Sequence, residues 1–297
     1  MKPSNQRPPT IDPQAVSRLK RLPPAPSPWL HEEVGRRMEE RLGWIKLEPS
    51  GWVDWFGLVG GLITHQLIAK RYPQAMSWVV EESEKATTFA RSFWSRPWWN
   101  LRYWLASKTK FSLPKEGGVE MVWANMVLHR TDDPQALIEN WRGVLSVDGF
   151  VMFSCFGPDT FKELRQLYAE QNWPEPCHQF TDMHDWGDML IQAGFAEPVM
   201  DMETITLTFE SPQRLVEELR GLGRNLHTKR FSGLRGRRWL EKLYSNLAGK
   251  PLQVSFEIIY GHAFRPVPRS KIKNETTVSL SKMKEFLSQS KTYPTAD

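Results

Sequence analysis

Residues 51–61 read GWVDWFGLVGG. The first part, Gly51 to Phe56, has the apolar character of a short buried strand. It runs into a glycine turn over Gly57–Gly61, and a helix is predicted from about Leu62 to Arg71. A second apolar run, Met76–Val80, ends at Glu81 and Glu82, and a further helix reaches about Trp94. Strand, glycine turn, helix, strand, helix is how a doubly wound parallel sheet begins. Such a sheet takes nucleotide-type ligands outside the carboxyl ends of its strands, where the strand order reverses.

The pattern continues outward from this stretch. Val119–Ala124 (VEMVWA) reads as a buried strand, and a helix over Pro134–Leu145 opens after Asp132 and Asp133, which suit an N-cap. The turn Val147-Asp148-Gly149 leads into the strand Phe150–Phe156. Helices follow over about 159–170 and 183–193, the second closed by Gly194. Ile205–Phe209 is predicted as a strand, Pro212–Leu222 as a helix and Leu252–Phe264 as a long last strand. Ahead of the first strand, Trp29–Leu42 carries Leu30, Val34, Met38 and Leu42 at helical spacing. Residues 1–28, rich in proline and basic side chains, are expected to be a mostly disordered arm. Residues 29–266 then form the folded domain, and 267–297 a polar tail with one short helix over 281–288.

Composition narrows the function classes. The 297 residues are 40% hydrophobic and 25% charged, which supports a sizeable core and argues against wholesale disorder. No apolar run approaches the roughly 20 residues that a membrane span requires, and the N-terminus lacks the apolar centre of a signal peptide. The two cysteines, Cys155 and Cys177, make neither a disulfide framework nor a metal site, and a cytoplasmic location is the default expectation. The net charge of +5 and the pI near 9.1 suit an acidic partner. The 14 tryptophans are expected mostly in the core.

The chemistry-bearing residues cluster around the opening stretch. Asp54 lies at the end of the first strand, Gly57, Gly60 and Gly61 follow, and Glu81 ends the second strand. Glycines there let a backbone approach a ligand, and an acid after the second strand accepts hydrogen bonds from ribose hydroxyls. The spacing suits a nucleoside site.

Several longer segments, VEMVWANMVLH (119–129), NWRGVLSVDGFVMFSCFGPDTFKELR (140–165), FTDMHDWGDMLIQAGFAEPVMDMETITLTF (180–209) and YGHAFRP (260–266), resemble the malonyl-carrier-protein O-methyltransferases of biotin synthesis. The resemblance implies a class I methyltransferase fold, an α/β Rossmann-like seven-stranded, mostly parallel sheet with helices on both faces. It implies S-adenosylmethionine as cofactor, held at Asp54, Gly57, Gly60, Gly61, Glu81 and Asn125. The implied acceptor is the free carboxylate of a malonyl thioester on acyl carrier protein, already ionised at neutral pH and in need of no general base. A basic residue should hold that carboxylate; Arg165, Arg220 and Arg224 are the candidates. The basic stretch Arg220–Arg238 would suit an acidic carrier protein. His129 either lines the substrate mouth or packs in the core.

The chain departs from the family pattern at three places. An acid-x-Gly-x-Gly-x-Gly loop counted from Asp54 would put glycines at 56, 58 and 60, and this chain has Phe56, Leu58 and Gly60. The stretch before the fourth strand, SKTKFSLP (107–114), lacks the adenine-binding acid, with Thr109 nearest. No tyrosine precedes Tyr72. These departures favour a second reading, a catalytically silent relative that binds a partner. A third, nucleic-acid or membrane-surface binding, rests on the net charge and the arginine–tryptophan stretch 93–104, and nucleic acid is not the expected partner. On the cofactor reading, Gly60→Val and Glu81→Ala each abolish cofactor binding without unfolding the chain.

Overall fold

A computed structural model describes residues 8, 10–94, 109–249, 251–268, 280–281 and 283–284. Two units divide the chain, 1–266 and 267–297. In the second, residues 267–268 and four helical positions, 280, 281, 283 and 284, are described, so most of the helix expected over 281–288 lies outside the described residues. The arginine–tryptophan stretch lies outside them too, apart from Phe93 and Trp94.

The first unit is built on one seven-stranded sheet. Its strands are β1 (Gly51–Trp55), β2 (Met76–Val80), β3 (Thr109–Lys110), β4 (Val119–Ala124), β5 (Leu145–Phe156), β6 (Ala196–Thr208) and β7 (Gln253–Phe264). They lie in the order β3-β2-β1-β4-β5-β7-β6. The first five pair in parallel and β7 runs antiparallel between β5 and β6. The order reverses between β1 and β4, which creates the crevice at their carboxyl ends.

The helices are α1 (Pro13–Lys20), α2 (Trp29–Arg41), a single turn α3 (Gly57–Gly60), α4 (Leu62–Arg71), α5 (Glu84–Trp94), α6 (Pro134–Val144), α7 (Lys162–Glu170), α8 (Met183–Gln192), α9 (Pro212–Leu222) and α10 (Arg237–Leu247). Their starts are written in the sequence. Asp133, Asp182 and Ser211 cap α6, α8 and α9, each accepting a backbone N–H of the first turn.

Central strands are buried on both faces, so their side chains alternate between two cores. Trp52, Met121, Trp123, Phe150 and Met152 face one core with α2, α4, α7 and α9. Val53, Trp55, Val122, Val151 and Phe153 face the other with α6 and α8. Most described tryptophans are buried, though Trp29 and Trp44 are exposed.

Four expectations need correction. The arm over 1–28 is ordered in part: α1 buries Ala15 and Val16 against Leu226, and Asp12 caps it. The turn at 147–149 does not precede β5 but lies within it, with Asp148 at φ 62°. β6 begins nine residues before its expected start at Ile205, because an edge strand is held by its ladder to β7 and its polar, half-exposed residues hide that pairing. α10 lies where only a basic stretch was expected.

Candidate functional site

The turn after β1 is a compact piece of helix rather than an open loop. Phe56 takes the left-handed conformation, φ 58° and ψ 48°, at the position where the family pattern has its first glycine. A bulky residue there carries strain of order 1 kcal/mol or more. Residues 57–60 then close one helical turn, with Gly60 N–H donating to Phe56 O at 2.9 Å and Gly61 N–H to Gly57 O at 2.8 Å.

The glycines of this turn face the chain's own atoms. A Cβ on Gly57 would lie 2.5 Å from Asp54 Oδ2 and 3.0 Å from the Trp94 ring. One on Gly60 would lie 2.9 Å from Asn125 O. Gly61, at φ +153°, turns the chain into α4. The small residues serve close internal packing here.

Asp54 is 2% exposed, and its carboxylate accepts a hydrogen bond from His65 Nδ1 at 2.7 Å. The His65 ring is stacked between Trp52 and Trp94, with centroids 4.9 and 4.3 Å away. Burial raises the Asp54 pKa, and the bond from His65 works against that rise. Asn125 is fully buried. Its amide donates to His31 O at 2.8 Å and to Gly60 O, and its Oδ1 accepts from Ser154 Oγ at 2.6 Å. Glu81 accepts from Leu58 N–H at 2.9 Å. Burial, aided by the nearby charges of Asp54 and Glu82, pushes its pKa up to about 8.

Helix α2 lies across this turn. His31 Nδ1 donates to Val59 O at 2.7 Å, and burial lowers its pKa to about 4, so the ring is neutral. The Glu32 carboxylate seats on the N-terminus of α4, accepting from Ile63 N–H at 3.1 Å, Thr64 N–H at 3.0 Å and Thr64 Oγ1 at 3.0 Å. A helix N-terminus presents free N–H groups and a positive dipole end, and a carboxylate is the natural group to satisfy both. Gly35 lets α2 come within contact of Thr64 and Asn125.

Beside this packed region run three cavities that share lining residues. The first, about 310 Å³, lies against Leu58, Val59, Glu81, Glu82, Ser83 and Ala86, with the 22–28 segment and Arg220–Arg224 also lining it. The second, about 120 Å³, is lined by His129, Phe156, His178, Phe180, Arg130 and Arg224 among others. The third, about 560 Å³, is a groove between α7, α9 and α10. Arg224 and Gly223 line all three.

Of the six residues implied as cofactor ligands, Glu81 lines a cavity. Asp54, Gly57, Gly60, Gly61 and Asn125 are brought together by the fold but bond or pack against the protein. His129 packs on Phe156 with centroids 4.4 Å apart, and it also lines the second cavity. Arg165 holds Pro158 O at 2.8 Å and is taken up by structure, whereas Arg220 and Arg224 are exposed at the cavities.

The sequence reading missed Arg130, His31 and His178. Arg130 pairs with Glu82 at 3.5 Å and lines the first two cavities. Among the described residues Arg130 Nε, His31 Nε2 and His178 Nδ1 have no hydrogen-bond partner. No spacing links these three in the chain; Arg130 alone could have been flagged, next to His129. Burial lowers the pKa of His178 to about 4 and that of His129 well below the usual histidine value, so these rings offer neutral polar atoms in an aromatic wall. Among the described residues no group of His, Cys, Asp and Glu could hold a metal ion, and no helix is long and apolar enough to cross a membrane.

No protein-family model matches the chain. In fold it is similar to the YcgJ protein of Bacillus subtilis, at TM-score 0.53 and 12% identity, covering 79% of this chain and 99% of that one. A candidate methyltransferase of Bacillus halodurans C-125 matches equally, covering 79% of this chain and all of that one. In sequence it is 38% identical over 250 residues to the malonyl-[acyl-carrier protein] O-methyltransferase of Gallionella capsiferriformans, covering 81% of this chain and 85% of the relative. The protein of the same name from Laribacter hongkongensis is 36% identical over 82% of this chain and 85% of its own length. With the expected seven-stranded, mostly parallel methyltransferase sheet in place, the chain belongs to the malonyl-[acyl-carrier protein] O-methyltransferase family.

Proposed function

We propose that this chain is an S-adenosylmethionine-dependent O-methyltransferase acting on the free carboxylate of a malonyl group carried on acyl carrier protein, in biotin synthesis. The observation that carries this reading, beside the relatives' names, is the run of joined cavities at the carboxyl ends of β1, β2, β4 and β5. One end offers an acid after β2, the other an aromatic wall with arginines. A cytoplasmic location and a protein partner, rather than nucleic acid, go with that substrate. Residues 29–266 are the methyltransferase domain in this reading, with α1 packed onto its Leu226.

The residues present fit one half of the cofactor. Glu81 and Ser83 beside the apolar Leu58 and Ala86 make a cavity of about 310 Å³ suited to a nucleoside. The amino-acid half does not fit the present arrangement, because Asn125 and Asp54 are fully engaged within the chain and Glu32 holds the N-terminus of α4. On this reading, binding of that half requires α2 to move off α4. When bound, S-adenosylmethionine supplies a sulfonium methyl group.

The chain's own residues handle the acceptor. A malonyl carboxylate is ionised at neutral pH, so no base is required. Arg224, with its guanidinium bonded only to backbone carbonyls of its own segment, and Arg130, with a free Nε, supply positive charge where the second cavity opens. Phe156, Phe161 and Phe180 exclude water and strip the carboxylate of its hydration, which raises its nucleophilicity. The neutral His129 and His178 can orient a thioester without protonating it. Alignment, rather than acid–base chemistry, is the protein's contribution.

Calorimetric titration with S-adenosylmethionine and S-adenosylhomocysteine tests the cofactor assignment. Micromolar binding that Glu81→Ala weakens is the expected result; absence of binding at millimolar ligand would remove the assignment.

A further inference from the structure

Between Glu218 and Glu241 the chain carries seven cationic side chains and no acidic one. Arg230 is paired with Asp12 at 2.7 Å. Arg220, Arg224, Lys229, Arg235, Arg237 and Arg238 have no carboxylate partner among the described residues. Six cations without a carboxylate partner on one short segment repel one another, and among the described residues only Arg235 is held by side-chain partners, Tyr168 and Trp239 among them.

The same segment exposes apolar surface. Leu234 is 100% exposed and Phe231 48% exposed. Arg235 lies over the Trp239 ring at 4.1 Å and the Phe231 ring at 5.1 Å, which holds a guanidinium and two aromatics as one patch. An apolar tip ringed by cations is the complement of an acidic helix with apolar side chains.

This patch stands at the mouth of a passage. The groove of about 560 Å³ between α7, α9 and α10 is lined by Arg220, Arg224 and Trp239 at the basic segment, and by Tyr168, Leu243 and Leu247 on its walls. It shares Leu164, Pro176, Leu219 and Asn225 with the cavity that holds His129 and Phe180. A groove of this kind takes a thin, flexible chain from the surface to the interior, but not a folded partner.

We propose that residues 220–239 dock an acidic carrier protein, and that the α7–α9–α10 groove guides its thioester arm to the histidine-lined cavity. The assignment rests on the methyltransferase reading for the identity of the partner, and on charge and groove geometry for its place. Leu234 supplies the apolar contact, and Arg237 and Arg238, both exposed, the charge.

The test uses the full chain and two malonyl thioesters, one on acyl carrier protein and one on pantetheine alone. Binding of holo-acyl carrier protein is measured directly by fluorescence anisotropy at low and high salt. Arg237→Glu with Arg238→Glu should weaken carrier binding at least tenfold and raise KM for the malonyl carrier equally. The kcat and the use of malonyl-pantetheine should be unchanged, and Arg237→Lys with Arg238→Lys should restore binding. Both sites are exposed, so the variants keep the wild-type melting curve, and Leu234→Asp provides a second, uncharged-to-acidic probe. Carrier binding that ignores charge reversal and salt would overturn the docking face, as would equal losses on both thioesters. Carrier binding on this face by a chain that methylates neither thioester would uphold the docking face and overturn the methyltransferase reading instead.

Discussion

Two regions of the crevice differ in how their polar atoms are used. Under α2, the turn after β1 is closely packed: Asp54 is bonded to His65, Asn125 to three partners, and the N-terminus of α4 to Glu32. Around Arg130 and Arg224 the polar atoms are held ready, with Arg130 Nε, His31 Nε2 and His178 Nδ1 unbonded among the described residues. Buried polar groups without partners cost free energy. The indole N–H groups of Trp52, Trp55, Trp141 and Trp186 are also unpartnered among the described residues, but Arg130, His31 and His178 differ in lining cavities where a ligand could complete them. On the proposed reading, the packed region is the donor side of the site and the region around Arg130 and Arg224 the acceptor side.

The difference has consequences for mutation. A change on the packed side should be felt in stability first. Gly60→Val sets a side chain against the Asn125 carbonyl, and overpacking of this kind costs about 3 kcal/mol, read from urea denaturation. The sequence alone led us to expect lost cofactor binding without unfolding; the contact makes stability the first casualty. Glu32→Ala removes the acceptor for two backbone N–H groups of α4 and should cost about 1–2 kcal/mol. It should also tighten S-adenosylmethionine binding by calorimetry, since it frees the anion-holding end of that helix. Unchanged affinity would mean that α2 does not stand in the cofactor's way.

Glu81 joins the two regions and gives a pH signature. Its pKa in the folded chain, about 8, lies above its value in the unfolded chain, so the native state binds the extra proton between those values. Its contribution to stability is therefore full at low pH and lost as pH rises through about 8. Compared with Glu81→Gln, the wild type should lose stability from about pH 5 to 8, with a slope of no more than about 1.4 kcal/mol per pH unit. Parallel stability curves would show that Glu81 is solvated and ionised.

The smallest expected effect on stability is at the open side. Arg224 is exposed and bonds only to Arg220 O and Gly223 O, so Arg224→Ala should change stability by less than about 0.5 kcal/mol. The same variant should raise KM for the malonyl thioester while leaving cofactor affinity alone. An equal loss of cofactor affinity would erase the distinction between the two sides.

Much of the fold was legible in the sequence because local signals agreed. The glycine turn, the aspartates ahead of α6 and the apolar central strands each point to the same doubly wound sheet. β6 was shortened because an edge strand need not show alternation when its neighbour β7 supplies the pairing. α10 was not delimited because the arginines drew attention to charge, although Leu240, Leu243, Tyr244 and Leu247 stand at helical spacing.

The residues of the candidate site were named from the sequence, but the contacts they make in the fold were not legible there. Asp54 and Asn125 are where the family pattern places them; that His65, eleven residues on, would claim one, and a carbonyl of α2 the other, depends on tertiary packing. Phe56 illustrates the limit best. Its residue type departs from the first glycine of the pattern, yet its backbone takes the left-handed conformation that glycine adopts readily.

The most direct measurement is mass spectrometry of malonyl-acyl carrier protein after incubation with the full chain and S-adenosylmethionine labelled at its methyl group. The account predicts one labelled methyl per malonyl group, lost when the ester is hydrolysed. An unmodified carrier, in the presence of chain that binds both ligands, would contradict it and leave a protein that keeps the family's fold without its reaction.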